Sequence, residues 1–134
     1  EEISMSIEKK LHRSGPYSDL FCQGVQVGGT LYLAGQVGTD DNGQAPDSLL
    51  EQMTLAYGHV KEVLSTFDAT MDNLVDETWF VTDIDECMGV VEALFAERHR
   101  IYGKTPEVSQ TLVQVTALVD PSFKIEIKCT AMVE

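Results

Sequence analysis

The sequence predicts an α+β fold with the element order β-β-α-β-α-β-β, in which two helices cover one face of a mixed sheet. Alternating apolar and polar residues mark a pair of strands near the start of the chain and a second pair at its end. Between these pairs lie two stretches with helix-capping signals, separated by one β-prone run. The 134 residues show no internal repeat and no low-complexity linker, so we expect a single domain over residues 1–134.

The first two strands are predicted to form a hairpin. The alternating run GVQV, residues 24–27, is followed by Gly28-Gly29 and then by TLYLAGQ, residues 30–36. Two glycines between short β-prone runs are a strong hairpin signal, because tight hairpin turns use positive φ angles. The stretch DDNGQAPD that follows is dense in turn-forming residues and predicts a loop.

The first helix is predicted to begin near Ser48. Ser48 and Glu51 match a capping box, in which each side chain bonds the backbone N–H of the other residue. His59 falls off the apolar face of this helix and is expected in solvent. The apolar residues at helical spacing that define the buried face are Leu50, Met53, Tyr57, Val60 and Leu64.

The run VDETWFV, residues 75–81, predicts the central strand. It carries Trp79, the only tryptophan, which we expect in the core or at a subunit contact. Asp83 then gives a second capping signal, and one helix is expected from there to Tyr102. Gly103 ends it, since glycine readily adopts the left-handed conformation that closes many helices.

Two alternating runs close the chain, SQTLVQVTAL at residues 109–118 and FKIEIKCTAMV at residues 123–133. Because both helices pack on one face of the sheet, the other face needs a cover. The acidic and amide residues of these strands fit poorly on an exposed apolar sheet. We therefore expect this face to meet another subunit.

The formal net charge of −13 opposes binding to nucleic acid and to anionic membrane surfaces, because both are negatively charged. An acidic surface by itself indicates solubility rather than a cationic ligand. No apolar run approaches the ~20 residues that a bilayer span needs. The start of the chain shows no signal-peptide pattern.

Cysteine and histidine usage indicates neither disulfides nor a metal site. The widely spaced Cys22, Cys87 and Cys129 form no CxxC pair and predict a reducing compartment, which we take to be the cytoplasm. Cys22 and Cys129 are expected as small buried apolar residues. The three histidines show no metal-ligand spacing, and we expect neither a metal nor a cofactor.

One short stretch suggests a pocket. In LYLAGQVGTDDNGQAP, residues 31–46, an apolar strand stops on a glycine and an uncharged amide. A strand that simply ends at a turn would account for this pattern. The alternative is that the backbone at Ala34, Gly35 and Gln36 forms a pocket wall, where a larger side chain would intrude.

Taken together, the chain resembles the RidA/YjgF family of small trimeric proteins. The resemblance covers nearly the whole chain and extends to the element order and the gaps. It rests on SGPYSDL, LYLAGQVGTD, VKEVLSTFDATMDNLVDETWFVTDIDECMGVVEALF and LVQVTALVDPSFKIEIKCTAMV.

The resemblance implies a chorismate-mutase-like α+β fold and a homotrimer whose sheets pack around a common centre. It places small-molecule sites in clefts between neighbouring subunits. Family members with a particular arginine hydrolyse reactive enamines and imines, such as 2-aminoacrylate, to a 2-oxo acid and ammonia.

The resemblance also implies a set of site residues. Tyr17 stands at the Gly-Pro-Tyr position of the pocket tyrosine, and Gly35 and Gln36 match the Gly-Gln that follows the second strand. Ala34 stands where the deaminase pattern has a serine, so that hydroxyl is missing. Glu126, in KIEIK, matches the glutamate that orients the attacking water.

The family's arginine has no counterpart in this chain. Gln110 stands at its expected position, followed by Thr111, and no arginine occurs from Ile101 to the end. An arginine binds a carboxylate through two charged hydrogen bonds, whereas a glutamine offers one neutral donor group. The exchange is expected to cost about 2–4 kcal/mol of affinity for a carboxylate.

Two functions follow from this set. The first is a RidA-like enamine or imine deaminase, or a related hydrolase, with altered substrate choice. The alternative is a non-catalytic trimeric protein that binds a small metabolite or regulates through the same clefts. In the first, Glu126 and Tyr17 are catalytic, and the ligand-binding residues are Ala34, Gly35, Gln36, Gln110 and Thr111.

Ordinary structural roles stay open beside these assignments. Glu126 can form a cross-strand pair with Lys124 or Lys128, and Tyr17 can be a packing aromatic residue. Gln110 can be a plain polar strand residue.

Overall fold

The computed structural model describes residues 6–134, and its elements form the α+β arrangement that the sequence predicts. The strands of this range are β1 Lys10–His12, β2 Gly24–Val27, β3 Thr30–Leu33, β4 Gln36–Val37, β5 Leu74–Val81, β6 Ser109–Gln114 and β7 Ile125–Met132. The helices are α1 Leu49–Ser65, α2 Ile84–Gly89 and α3 Val91–Tyr102, with a 3₁₀ turn at Met71–Asn73.

All of the strands belong to one mixed sheet. Its order is β1-β2-β3-β7-β5-β6, and β4 also pairs with β7. β5 and β6 run parallel because α2 and α3 connect them, and the other pairs are antiparallel. β7 is central, and its pairing with β4 places Glu126 opposite Val37.

The core lies between one face of this sheet and the helices. Trp79 of β5 and Ile127 of β7 are partners in the sheet, and both are fully buried. Tyr57 of α1 and Leu94 of α3 pack into the same core, as do most of the apolar residues predicted for α1. The prediction of a buried Trp79 is therefore confirmed.

The predicted strand at residues 30–36 is wrong in one respect, since it is interrupted. β3 ends at Leu33 and β4 begins at Gln36. Tyr32 pairs with Thr130 and Gln36 pairs with Ile127, so the register against β7 changes by one residue between them. This is a β-bulge, which bends a strand at the extra residue. Ala34 and Gly35 form it.

The predicted second helix is also interrupted. α2 ends at Gly89 and α3 begins at Val91, because Val90 has φ −126° and ψ 20°, outside the helical region. Glycine and β-branched residues have low helix propensity, which favours a break at this point. Cys87, which precedes the break, is buried, whereas Val90, at the break itself, is exposed.

The strand bounds differ in smaller ways. β1 was not predicted, because three residues without alternation carry no strand signal. The last two strands are shorter than the predicted ranges 109–118 and 123–133, ending at Gln114 and Met132.

The second face of the sheet carries no helix within the described residues. Tyr32 of β3 and Val113 of β6 are 52% and 38% exposed on this face. Polar side chains lie between them on the same face, including Thr78, Lys128 and Thr130. The contact of this face with another subunit stays a prediction.

In the range 6–134, none of the helices has both the length and the apolar character that crossing a bilayer requires.

Candidate functional site

A cleft of about 830 Å³ opens between the loop that follows β1, the β3–β4 bulge, the C-terminal half of α1 and β7. Tyr17, Gly35, Gln36 and Glu126 line it, and all four were predicted at the site. Other lining residues that bear on its chemistry are His12, Gln23, Thr39, Asp40, Asp41, His59, Glu62, Thr66 and Phe123.

Glu126 lies directly against Gly35. A Cβ at position 35 would be 2.7 Å from Cδ of Glu126 and nearer still to Oε2, which is closer than real Cβ contacts. The pairing of Val37 with Glu126 on neighbouring strands sets this approach. The bulge thus forms the part of the cleft wall on which the carboxylate rests.

Burial raises the pKa of the Glu126 carboxyl above its ordinary value, and the charge of Lys128 partly offsets this rise. The two lysines that flank Glu126 bond other groups. Lys124 donates to Oε2 of Glu86 at 2.8 Å, and Lys128 donates to the carbonyl oxygen of Leu33. The cross-strand pairing considered for Glu126 is therefore not formed, and its carboxylate faces the cleft.

Tyr17 also lines the cleft, in the turn that Gly15 and Pro16 begin. Gly15 has φ +76°, a conformation that glycine adopts without strain. The Tyr17 ring stacks on Phe21 at a centroid distance of 5.8 Å and an interplanar angle of 18°. Tyr17 as a whole remains 50% exposed, so stacking on Phe21 orients the ring without burying the residue.

Gln36 shapes the cleft from behind the bulge. Its Nε2 donates to Oε1 of Gln23 at 2.8 Å and to the carbonyl oxygen of Ala34 at 3.1 Å. The Ala34 backbone N–H in turn donates to the carbonyl oxygen of Gln23. Ala34 therefore supports the wall and does not line the cleft.

Gln110 and Thr111 lie outside the cleft of their own chain. Gln110 pairs with Glu77 across β6 and β5, and its Nε2 donates to Oε2 of Glu77 at 2.7 Å. Thr111 points to the opposite, helix-free face of the sheet. A ligand contact by the side chain of Gln110 would require its bond to Glu77 to be broken.

Glu77 anchors a buried polar network that sequence reasoning missed. Its Oε1 accepts from the hydroxyls of Tyr57 and Tyr102, at 2.8 and 2.7 Å. Its Oε2 accepts from Nε of Arg98 at 2.8 Å and from Gln110. Burial, with the Glu77 charge, raises the pKa of both tyrosines, so they stay protonated donors.

The signal for this network was present but weak. One of the two acidic residues in the β-prone run VDETWFV and an arginine in the second half of a helix are individually ordinary. Only the register that sets Glu77 beneath α1 and α3 makes them partners. A buried charge requires such partners, because unpaired it would be strongly destabilising.

Two histidines, His12 and His59, line the cleft, although the sequence did not predict them at the site. His59 was expected in solvent, but it is partly buried, and its Nε2 lies 2.8 Å from the carbonyl oxygen of Thr39. His12 packs edge-on against Phe67 at a centroid distance of 6.4 Å. Helical periodicity gave no hint of this, because the loop that covers His59 comes from elsewhere in the sequence.

Two of the three cysteines are shielded from solvent. Cys87 and Cys129 are buried, and burial raises the pKa of both thiols. Cys22, which was expected to be buried, is only partly so. Residues 6–134 contain no cluster of three or more His, Cys, Asp or Glu side chains placed to hold a metal ion.

The cleft combines the half-buried carboxylate of Glu126 with the phenol group of Tyr17. A carboxylate of raised pKa can accept a proton from water and return it to a leaving group. The phenol can donate a hydrogen bond to a polar atom of a ligand. These groups suit addition of water to an electrophilic carbon, a reaction that needs little further machinery when the carbon belongs to a C=N bond.

Comparison with known proteins gives consistent matches over most of the chain. The family model described as endoribonuclease L-PSP matches residues 8–133. A Schizosaccharomyces pombe protein, mmf2, mitochondrial, is 31% identical over 127 residues, covering 91% of each chain. The mouse 2-iminobutanoate/2-iminopropanoate deaminase is 32% identical over 120 residues, which cover 88% of this chain and 82% of the mouse protein.

Solved structures match the fold as well. The crystal structure of a YjgF-family protein from Mycobacterium tuberculosis superposes with a TM-score of 0.78 at 25% identity. The match covers 94% of this chain and 100% of that one.

Proposed function

The chain belongs to the RidA/YjgF family, and from this premise we propose that it is an enamine or imine deaminase, or a related hydrolase, with altered substrate choice. The observation that carries the proposal is that Tyr17, Gly35 and Glu126 line one cleft. The name of the mouse relative, 2-iminobutanoate/2-iminopropanoate deaminase, supports the reaction class.

In the proposed reaction, water adds to the carbon of a C=N bond, and the resulting carbinolamine expels ammonia as a C=O bond forms. The Glu126 carboxylate accepts a hydrogen bond from the water and takes its proton as the C–O bond forms. The carboxyl delivers this proton to the imine nitrogen, and as the C–N bond breaks it carries the proton of the new hydroxyl group to the departing nitrogen, which leaves as ammonia. Burial, which raises the pKa of Glu126, suits both transfers. The Tyr17 hydroxyl donates to the substrate and holds it against the bulge.

We further propose that the protein works as a homotrimer of the family's chorismate-mutase-like fold. The helix-free face of the sheet, with Tyr32 and Val113 exposed on it, supports a subunit contact there. Gln110 and Thr111 lie on the edge strand β6, outside the cleft of their own chain. Any ligand that they contact would therefore lie in the cleft of a neighbouring subunit.

The family description names an endoribonuclease, but the cleft does not favour that reaction. Four carboxylates belong to its lining, and among the described residues no lysine or arginine does. RNA phosphates need cationic partners, and the net charge of −13 adds repulsion. The carboxylates are Asp40, Asp41, Glu62 and Glu126.

A protein that binds a metabolite without turnover is the second candidate. The engagement of Gln110 by Glu77 favours it, because the position that carries the family's arginine then offers no free group to a ligand.

The free cysteines fit a reducing compartment, and the cytoplasm stays our proposal, although the fission yeast relative is named as mitochondrial.

The test follows ammonia release from imines that an amino acid oxidase or an amine oxidase generates in solution. A deaminase accelerates release above the rate in buffer. Saturable binding of an amine in the cleft without acceleration would assign the binding function instead. If neither acceleration nor binding is seen with any imine or amine, both proposals are wrong.

A further inference from the structure

We propose that the substrate is a cationic imine that lacks a carboxylate, the iminium form R–CH=NH₂⁺ derived from a simple amine. This inference rests on the proposed deaminase function and names the substrate class for the same cleft. Its evidence is the position of the charged groups in and around the cleft and the partners that they bind.

The cleft itself offers negative charge. Glu126 lies at the bulge, Glu62 on α1, and Asp40 and Asp41 in the loop after β4. Of the residues that the structure describes, none of the lysines and arginines lines the cleft. A ligand carboxylate would therefore meet like charges without a cationic partner, and like charges disfavour each other.

Several cations lie close to the cleft in sequence or in the sheet, and those with a hydrogen bond or ring contact direct it elsewhere. Lys124 donates to Oε2 of Glu86 at 2.8 Å, and Lys128, although its charge reaches Glu126, bonds no cleft-lining side chain. Lys10 lies over the ring of Phe67, 5.4 Å from its centroid. Arg13 donates to the carbonyl oxygen of Ser18 at 3.0 Å, and Lys128 donates to that of Leu33.

The two histidines do not supply the missing charge either. Nε2 of His59 is bonded to the carbonyl oxygen of Thr39, and Nδ1 lies 3.8 Å from Oε2 of Glu62. Any positive charge on His59 is thus already faced by a carboxylate. His12 presents its ring to Phe67.

A neighbouring subunit would not change this balance through β6. The chain has no lysine or arginine between Lys104 and Lys124. Gln110 on that strand donates to the buried Glu77, so the next charge behind it is negative. The edge strand therefore brings no cation to a cleft, whichever subunit owns it.

An iminium ion fits this arrangement. Its charge complements the carboxylates of Glu126, Glu62, Asp40 and Asp41, and protonation makes its carbon more electrophilic. The reaction balances as R–CH=NH₂⁺ + H₂O → R–CHO + NH₄⁺. The C–O bond forms from water, the C–N bond breaks, and the protons that leave the water pass through Glu126 to the departing nitrogen.

A matched pair of substrates tests the inference. Butylamine, oxidised by an amine oxidase, gives the imine without a carboxylate, and 2-aminobutanoate, oxidised by an amino acid oxidase, gives 2-iminobutanoate. We expect kcat/KM for ammonia release to be at least about 10-fold higher for the first, since a single unscreened charge contact is worth that much. Equal rates, or a preference for 2-iminobutanoate, would overturn the substrate class and leave the deaminase function standing. No acceleration with either imine would overturn the function itself.

A charge-reversal pair separates the local effect from net charge. Glu62→Lys places a cation at the cleft, and Glu92→Lys makes the same change of net charge on the exposed surface of α3. Glu62→Lys should lower the ratio of the two kcat/KM values several-fold, while Glu92→Lys should leave it unchanged. If both variants shift the ratio equally, the preference comes from overall charge, and the assignment to this cleft is wrong.

Discussion

The carboxylate of Glu126 occupies the space in which a side chain at Gly35 would begin. The bulge between β3 and β4 makes this approach possible, because it turns the backbone of residue 35 toward β7. The position of the proposed base therefore depends on a residue that has no side chain.

Gly35→Ala should displace the Glu126 carboxylate. A misplacement of about 1 Å costs on the order of 100-fold in rate, so we expect a loss of that size in kcat/KM for ammonia release. Gly58→Ala on α1 is the matched control, because nothing lies within 4 Å of its added Cβ. It should keep full activity and raise stability by about 0.5–1 kcal/mol. A Gly35→Ala variant with unchanged kcat/KM would show that this contact does not position the base.

The Glu77 network should dominate the stability of the core. Glu77→Ala leaves the guanidinium of Arg98 buried without its partner, and the free energy of unfolding should fall by about 3–5 kcal/mol. Gln110→Ala removes one of the four hydrogen bonds and should cost about 1.5–3 kcal/mol. Urea unfolding of the two variants measures both values. A loss below about 1 kcal/mol for Glu77→Ala would contradict the network's role.

Gln110→Arg should not create a carboxylate site. The new guanidinium would be drawn to Glu77, to which Gln110 already donates. We therefore expect the Michaelis constant for 2-iminobutanoate to change less than about threefold in the same ammonia assay. A guanidinium that is already paired with Glu77 adds little to the binding of a ligand carboxylate. If the Michaelis constant instead fell by about 30-fold or more, as a free charged partner would allow, residue 110 would reach a cleft after all.

The helix-free face of the sheet should hold the subunits together. Light scattering should give three times the mass of one chain. Tyr32→Glu places a charge on this face and should shift the protein toward monomers, because a buried unpaired charge opposes association. Glu92→Lys, on the helical side, should leave the trimer intact. A monomeric wild-type protein, or a Tyr32→Glu variant that remains a full trimer, would contradict this arrangement.

Local patterns in the sequence were enough to predict the main elements of the fold. The Gly-Gly hairpin, the cap at Ser48 and the alternation around Glu126 each correspond to an observed element. The interruptions at Gly35 and Val90 were not predicted. A bulge or a helix break depends on how the segment pairs and packs with neighbouring elements, which local patterns do not show. The inward-facing positions pass from odd to even numbers across the bulge, from Leu33 to Gln36, but the small residues Ala34 and Gly35 between them leave no clear sign of this shift in the sequence.

The candidate site was less accessible to sequence reasoning. Tyr17 and Glu126 were named through family resemblance, and Gly35 and Gln36 also through the strand that stops on them. All four lie around one cleft. His59 and Glu77 were missed because their partners are distant in the chain. The side-chain direction of Gln110 follows from the pairing of β5 with β6, which alternation alone does not fix.

The pH dependence of ammonia release, corrected for the rate in buffer, tests the role of Glu126 most directly. A base acts when deprotonated, and burial raises the Glu126 pKa. The rate should therefore fall as the pH drops through a midpoint above the ordinary glutamate value of about 4.3. Glu126→Gln should lose about 100-fold or more of the rate together with this acid limb. An unchanged rate and an unchanged acid limb in Glu126→Gln would contradict the account.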